Sequence, residues 1–204
     1  ALDDPSRRRA FVAVEHRFRM LYCATESVGA FGETIARFRT SPRLWLQLQH
    51  ITDDVAIDPS LTGGEVPVDW RIQRLLGVTR LDAALTFVDI AAPESHAYLT
   101  RELATLLSAL DITELDLSAL MDKRQRRLTQ EIARFVYEQI DPATGIPASA
   151  GLRYVSRLNA VWELWAVFAD RMTHFPYPSH SILPDDQGLV EARVQLGMAS
   201  PQAF

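Results

Sequence analysis

The sequence predicts an α+β domain, because segments with helical spacing and segments with strand character do not alternate regularly along the chain. Two strand-like segments, 151–157 and 161–169, follow each other closely and are joined by the short link 158–160, which indicates a hairpin. Two other segments, 95–110 and 127–140, carry leucine, isoleucine, phenylalanine and valine at helical spacing. This order of elements favours an α+β architecture over a doubly wound parallel sheet.

The first elements of the chain are a strand and a helix in direct succession. Residues 18–24 are mostly apolar and read as a short buried strand. Ser27 is a candidate N-cap for a helix that continues to about residue 38 or 39. One side of that helix is apolar and the other carries Gly29 and Gly32, which lower helix stability, so we expect another part of the protein to approach closely there.

The remaining elements follow from the same patterns. Residues 58–64 read as a loop and residues 84–90 as a strand. Residues 174–204 are expected to form an irregular, proline-rich extension of a single domain over 1–204, with a short final helix over about 188–196 that ends at Gly197.

Composition and charge exclude several classes of function. The chain has 204 residues and a net charge of -5, which gives no electrostatic reason to expect direct nucleic-acid binding. We find no apolar run of about 20 residues that would span a membrane and no signal peptide. A single cysteine, Cys23, suits a reducing compartment, so we expect a cytoplasmic protein.

Common catalytic and metal-binding motifs are absent from the sequence. The five histidines form neither HxxxH nor HExxH spacing, and Cys23 has no CxxC partner, so no metal is expected. The pair Gly63-Gly64 is not followed by the lysine of a phosphate-binding P-loop, and no serine lies in a GxSxG elbow. A turn explains the glycine pair.

Several stretches, taken in order, resemble the RES domain family. The first, 22–33, has a tyrosine that closes a strand and a glutamate eleven positions later on a helix. The second resembles the family's helix before its serine strand, and the others resemble that strand, the next strand and the end of the domain. These further stretches are 127–134, 151–157, 165–168, 183–186 and 196–197.

The resemblance implies a fold similar to that of ADP-ribosyltransferases, with mixed sheets and flanking helices. It also implies that NAD+ is the substrate, consumed by hydrolysis or phosphorolysis of the nicotinamide–ribose bond or used for ADP-ribosylation. RES proteins are commonly toxins of bacterial toxin–antitoxin pairs, and the implied partner is an Xre-type helix-turn-helix antitoxin. The sequence leaves open whether such a partner exists and whether the chain forms a homo-oligomer.

The catalytic residues implied by the resemblance are Glu33, Ser156 and Tyr22. Cleavage of the nicotinamide–ribose bond develops positive charge on the ribose, and a fixed carboxylate such as Glu33 would stabilise it. Tyr22 has an aromatic face suited to stacking on nicotinamide. Ser156 would bind the dinucleotide or ribose. The alternative interpretations give these residues no function: Glu33 is an exposed helix glutamate, Tyr22 a half-buried strand tyrosine and Ser156 a strand serine facing solvent.

Arg19, Arg153 and Tyr154 are the candidate dinucleotide-binding residues. In a regular strand Tyr154 and Ser156 share one face, and Arg153 lies on the other, so at most one set lines a pocket without a bulge. The resemblance favours the face of Ser156. By the same alternation we expect Arg19 to lie on the face opposite Tyr22.

The family's arginine is the part of the motif that this sequence does not match. The stretch 2–5 resembles the region where that arginine occurs in relatives, and Ala1 stands in its place. We therefore expect these residues to bind NAD+ weakly and turn it over slowly, either because the native protein begins upstream or because the site has decayed. The second hypothesis is a RES-fold protein that binds without turnover, and the third is a purely structural domain.

Overall fold

The computed structural model describes residues 18–41, 43, 46, 64–172 and 178–198. The strands, in chain order, are β1 (Met20–Ala24), β2 (Leu75–Gly77), β3 (Phe87–Asp89), β4 (Gly151–Val155), β5 (Glu163–Phe168) and β6 (Ser179–Ser181). The main helices are α1 (Ser27–Ile35), α2 (Val68–Ile72), α3 (Pro93–Glu102), α4 (Ala104–Ala109), α5 (Leu117–Met121), α6 (Arg126–Glu138) and α7 (Gln187–Gln195).

These elements confirm the predicted α+β class. The largest sheet has the strand order β1-β5-β4-β3, in which β4 runs antiparallel to β5 and parallel to β3. A separate antiparallel pair joins β2 to β6. Within the described residues, no helix has the length and apolar character needed to cross a membrane.

The chain divides into two compact units. The first contains residues 18–23, Arg80–Arg157 and 163–172, and the second contains the described parts of Ala24–Thr79 together with Leu158–Trp162 and 178–198.

The core of the first unit lies between α6 and one face of the larger sheet. Leu128, Ile132 and Val136 repeat at helical spacing on α6, and all three are buried. They belong to the same apolar cluster as Leu152 of β4 and Phe168 of β5. Packing of an amphipathic helix on an apolar sheet face is the expected way to remove both surfaces from water.

The end of α6 in the first unit is fixed by Arg171. Its guanidinium donates hydrogen bonds to the backbone carbonyls of Tyr137 and Ser149, and it lies over the rings of Tyr137 and Phe168 at 4.3 and 4.8 Å from their centroids. The last carbonyls of a helix have no partner inside the helix, so a cation at this position satisfies one of them. Burial lowers the pKa of Arg171, although the guanidinium stays charged at physiological pH.

The core of the second unit is built around Trp162. Gly29 and Gly32 on α1 are both buried, and a side chain at Gly32 would overlap the indole ring of Trp162. The Trp162 indole Nε1 donates to Gln195 Oε1 at 2.9 Å, and Asn159 Nδ2 donates to the same oxygen at 2.7 Å. The close approach predicted for the glycine face of this helix is therefore confirmed, and its physical cause is an aromatic ring.

Several predicted boundaries needed correction. Ser27 is the first residue of α1 and not its N-cap, which is Glu26, and no side chain caps the helix. The helix predicted over 95–110 is two helices, α3 and α4, separated at Leu103. The segment predicted as an irregular tail contains β6, while α2, β2 and α5 were not predicted. The predicted loop 58–64 lies outside the described residues except for Gly64.

Candidate functional site

A cavity of about 600 Å³ in the first unit is the candidate site. It lies between α6 and the face of the larger sheet that packs on α6, so it opens within the apolar layer of this unit. Small-molecule and cofactor sites have volumes of roughly 300–1,000 Å³, and this cavity falls within that range.

The sheet contributes residues from three neighbouring strands to the lining. Met20 and Tyr22 come from β1, Ala166 from β5, and Leu152 and Tyr154 from β4. Their spacing of two along β1 and along β4 reflects strand geometry, since alternate side chains point to the same face. The sheet thereby brings two predicted site residues, Tyr22 and Tyr154, to one cavity.

Tyr22 is an unusual lining residue because it is 68% exposed. A tyrosine that packs in a core is largely covered, whereas this ring lies against the cavity and is open to solvent. An exposed aromatic face beside a cavity is available for stacking with a planar ligand.

Helix α6 lines the opposite side with both polar and apolar residues. Ile132 and Ala133 continue its buried face, and Thr129 and Gln130 precede them by less than one turn. The Thr129 hydroxyl donates to the carbonyl of Arg126 at 3.0 Å, so its hydrogen is already used within the helix. Within the described residues, the side-chain amide of Gln130 has no hydrogen-bond partner. The sequence did not predict either residue as part of a site, and their only sequence signal is a polar pair beside an apolar helix face.

Arg19 is a lining residue of the same cavity as Tyr22, and the prediction that the two lie on opposite faces of a strand does not apply to it. The prediction extended the strand alternation backwards, but β1 begins at Met20, so Arg19 precedes the strand. Its backbone carbonyl accepts a hydrogen bond from the amide of Ala169 at 2.9 Å. Arg19 is exposed, and within the described residues its guanidinium forms no ion pair. It is therefore an exposed arginine at a position that lines the cavity.

Arg153 lies on the other face of the sheet. Its Nε donates to Glu163 Oε1 at 2.5 Å, and its Nη1 donates to Asp89 Oδ2 at 2.5 Å. The hydrogen bond that Arg153 donates to Glu163 raises the pKa of Arg153, and the charge of Asp89 adds to the effect. Arg153 does not line the cavity, and two carboxylates already engage its charge.

Ser156 follows β4 and is buried, with 2% of its surface exposed. The alternation that was to place Ser156 beside Tyr154 does not apply, because β4 ends at Val155. Ser156 does not line the cavity. The alternative interpretation, a strand serine that faces solvent, is therefore wrong, because Ser156 is buried.

Glu33 belongs to the second unit. It lies on α1 with an exposed side chain, while Phe31, Gly32 and Ile35 of the same helix are buried. The exposed position on the helix agrees with the non-functional alternative, an exposed helix glutamate, and the catalytic role implied by the resemblance remains a prediction.

The described residues offer no group of three or more histidine, cysteine, aspartate or glutamate side chains arranged to hold a metal ion. The free Cys23, which is half-buried, follows Tyr22 in β1. Burial raises the pKa of its thiol, so it is a weaker nucleophile at neutral pH than an exposed cysteine.

Comparison with protein-family models, with curated proteins and with solved structures finds no match to this chain.

Proposed function

We propose that this chain is a RES-type protein that binds NAD+ and cleaves its nicotinamide–ribose bond by hydrolysis or phosphorolysis. The observation that supports this best is that Arg19, Tyr22 and Tyr154 all line one cavity of about 600 Å³. We assign one part of a dinucleotide to each residue. The guanidinium of Arg19 would bind the pyrophosphate, and the exposed ring of Tyr22 would stack on a planar base. Tyr154 would contact a ribose or the second ring.

Arg19 takes the place of the family's arginine in this proposal. The pyrophosphate carries two negative charges, and a guanidinium offers two parallel donors to one phosphate. The segment 1–17, where the resemblance expected the arginine, lies outside the described residues. If Arg19 makes this contact, the dinucleotide has its cation; if it does not, the weak binding expected from the missing arginine follows.

The bond-breaking step is proposed to use Glu33. As the nicotinamide leaves with the bonding electrons, positive charge develops on the ribose, and a carboxylate lowers the energy of that state. Water attacks the ribose in hydrolysis and gives up a proton to solvent, whereas phosphate attacks it in phosphorolysis, and in both cases neutral nicotinamide is released. The support for Glu33 is the RES resemblance alone. The proposal that Ser156 binds the dinucleotide or ribose rests on the resemblance alone, because Ser156 is buried and does not line the cavity.

The fold is proposed to be ADP-ribosyltransferase-like, and the partner an Xre-type antitoxin. Both follow from the resemblance. The described strand order β1-β5-β4-β3, with parallel and antiparallel neighbours, is compatible with the mixed sheets of that fold. Such an antitoxin would supply the DNA binding that the net charge of -5 does not favour in this chain. Co-purification from the native operon tests the partner.

The second candidate function is binding of an adenine dinucleotide without turnover. It is favoured by the lining of the cavity, which contains no aspartate or glutamate among the described residues. Both functions use the same cavity, and they differ only in whether the bound molecule is consumed.

One experiment separates these possibilities. NAD+ binding is measured by calorimetry, and NAD+ consumption is followed with and without phosphate. Binding with consumption supports the proposed function, and the phosphate dependence identifies the acceptor. Binding without consumption supports the second candidate. If neither binding nor consumption occurs, both are wrong and a structural role is left.

A further inference from the structure

The most distinctive polar group in the cavity is the side-chain amide of Gln130. It is partly buried on α6 and lies among apolar lining residues that include Leu120, Ile132 and Leu152. Within the described residues no other group forms a hydrogen bond with it. A polar group in such surroundings is costly to leave unsatisfied when a ligand displaces water, so a bound ligand is favoured if it supplies a partner.

The amide of glutamine has one hydrogen-bond acceptor and two donors side by side. The complementary ligand is a planar ring whose edge carries a donor next to an acceptor, such as the carboxamide of nicotinamide or the amino-pyrimidine edge of adenine. A carboxylate at the same place has only acceptors. It would satisfy the NH₂ of Gln130, leave its carbonyl oxygen facing another oxygen, and lose its own hydration among apolar side chains.

The neighbouring residues favour a ligand whose ring edge lies at Gln130 and whose phosphate lies at Arg19. Thr129 precedes Gln130 on the same helix, but its hydroxyl hydrogen is donated to the Arg126 carbonyl, so it adds no free donor. Arg19, the cation of the cavity lining, comes from the segment that leads into β1 and is exposed. The ring edge of the ligand would therefore bind the neutral amide of Gln130, and its phosphate would bind the charged guanidinium of Arg19.

We propose that Gln130 is a specificity-determining residue. It selects a nucleotide whose base has a hydrogen-bond donor next to an acceptor on its edge. A base of the same shape that carries a carboxylate, or that lacks the hydrogen-bond donor, binds less tightly. This inference rests on the proposed function, because it names the base that the same cavity binds.

The test measures the affinity of the whole chain for two matched pairs of mononucleotides by calorimetry at one salt concentration. The first pair is nicotinamide mononucleotide and nicotinate mononucleotide. The second pair is AMP and purine riboside 5′-monophosphate, which lacks the amino group. We expect the amide-type member of one pair to bind about 10-fold more tightly than its partner, the upper end of what one neutral hydrogen bond contributes. The pair that shows the preference identifies the base.

Substitution of Gln130 then links the preference to this residue. In Gln130→Leu we expect the ratio of affinities to fall to within about 3-fold, whereas Gln125→Leu, on the same segment but outside the cavity lining, keeps the wild-type ratio. Gln130→Glu is expected to weaken binding of nicotinate mononucleotide further, because two carboxylates would face each other. Thermal unfolding of each variant verifies that it is folded, and a general loss of packing would weaken both members of a pair equally.

The proposal is overturned if the wild type discriminates within neither pair, or if Gln130→Leu retains the full ratio. Either result, together with measurable NAD+ binding, would leave the proposed function intact. Failure of all four mononucleotides and of NAD+ to bind would overturn both the inference and the function on which it rests.

Discussion

Arg153 and Tyr154 are neighbours in β4, yet their side chains serve opposite faces of the sheet. Tyr154 lines the cavity, while Arg153 is paired with Asp89 and Glu163. The pairing of Arg153 opposite Trp165, and of Tyr154 opposite Leu164, places each in a different row of side chains across β4 and β5. Because side chains alternate along a strand, Tyr154 faces the cavity while the adjacent Arg153 forms ion pairs on the other face of the sheet.

Replacement of Arg19 is expected to weaken NAD+ binding. In Arg19→Ala the cavity loses the guanidinium that we assign to the pyrophosphate, and a charge-assisted hydrogen bond is typically worth about 1.5–3 kcal/mol, or roughly 10-fold to 100-fold in the dissociation constant. Calorimetric titration with NAD+ measures this change. An unchanged dissociation constant would show that a different cation binds the phosphates.

Replacement of Arg153 is expected to affect stability and leave NAD+ affinity unchanged. Arg153→Ala leaves Asp89 and Glu163 without their shared cation, but all three side chains are about one-third exposed, so water screens much of the effect. We expect a loss of about 1 kcal/mol in the free energy of unfolding, measured by urea denaturation. A rise in the dissociation constant for NAD+ that matches Arg19→Ala would contradict the assignment of the two arginines.

Replacement of Glu33 is expected to lower turnover and spare binding. If this carboxylate stabilises positive charge on the ribose, Glu33→Gln reduces the rate of NAD+ consumption by about 10²-fold or more, since that charge exists only near the transition state. Glu26→Gln is the matched control, because Glu26 is also exposed and lies at the start of the same helix. Equal turnover in the wild type and Glu33→Gln would remove Glu33 from the mechanism.

The hydroxyl of Tyr137 is expected to stabilise the first unit in a pH-dependent way. It donates to Asp170 Oδ2 at 2.8 Å, and this hydrogen bond raises the pKa of Tyr137 above its ordinary value. A raised pKa means that the stabilisation is fully present below about pH 10, the value for an unfolded tyrosine, and is lost as the pH rises through the higher folded-state value.

Tyr137→Phe removes the hydroxyl while keeping the ring that lies under Arg171. We expect a loss of roughly 0.5–1 kcal/mol at pH 7, because the bond is exposed to water, and a smaller difference from the wild type above pH 10. Urea denaturation at several pH values measures both. A difference that stays constant up to pH 11 would show that the hydroxyl contributes by some other means.

A methyl group at Gly32 is expected to destabilise the second unit. Alanine is a better helix former than glycine by about 1 kcal/mol, but the added Cβ would overlap the buried indole ring of Trp162. Overpacking of this kind costs about 1–3 kcal/mol, so we expect Gly32→Ala to unfold at a lower temperature than the wild type. Gly77→Ala is the control, since its added Cβ would meet no atom within 4 Å. A higher unfolding temperature for Gly32→Ala would show that Trp162 can move aside.

Local pattern was sufficient for the strongest elements. The repeat of Leu128, Ile132 and Val136 predicted α6, and the succession of two strand-like segments predicted the antiparallel pair β4 and β5. The glycine face of α1 predicted a close neighbour. Short elements such as α2 and β2 were missed because three to five residues carry too little periodicity to be recognised.

The sequence by itself determined the α+β class, the amphipathic face of α6 and the alternation of faces along β4, because each depends on residues that are close together in the chain. Only the tertiary structure decided that Arg19 lines a cavity with Tyr22 and Tyr154, and that Gln130 faces them from α6. These residues are up to 135 positions apart, from 19 to 154, and meet because β1 joins the same sheet as β4 through β5. Strand order in a sheet is fixed by the burial of whole faces and by long-range hydrogen bonds, and no local sequence pattern predicts either of them.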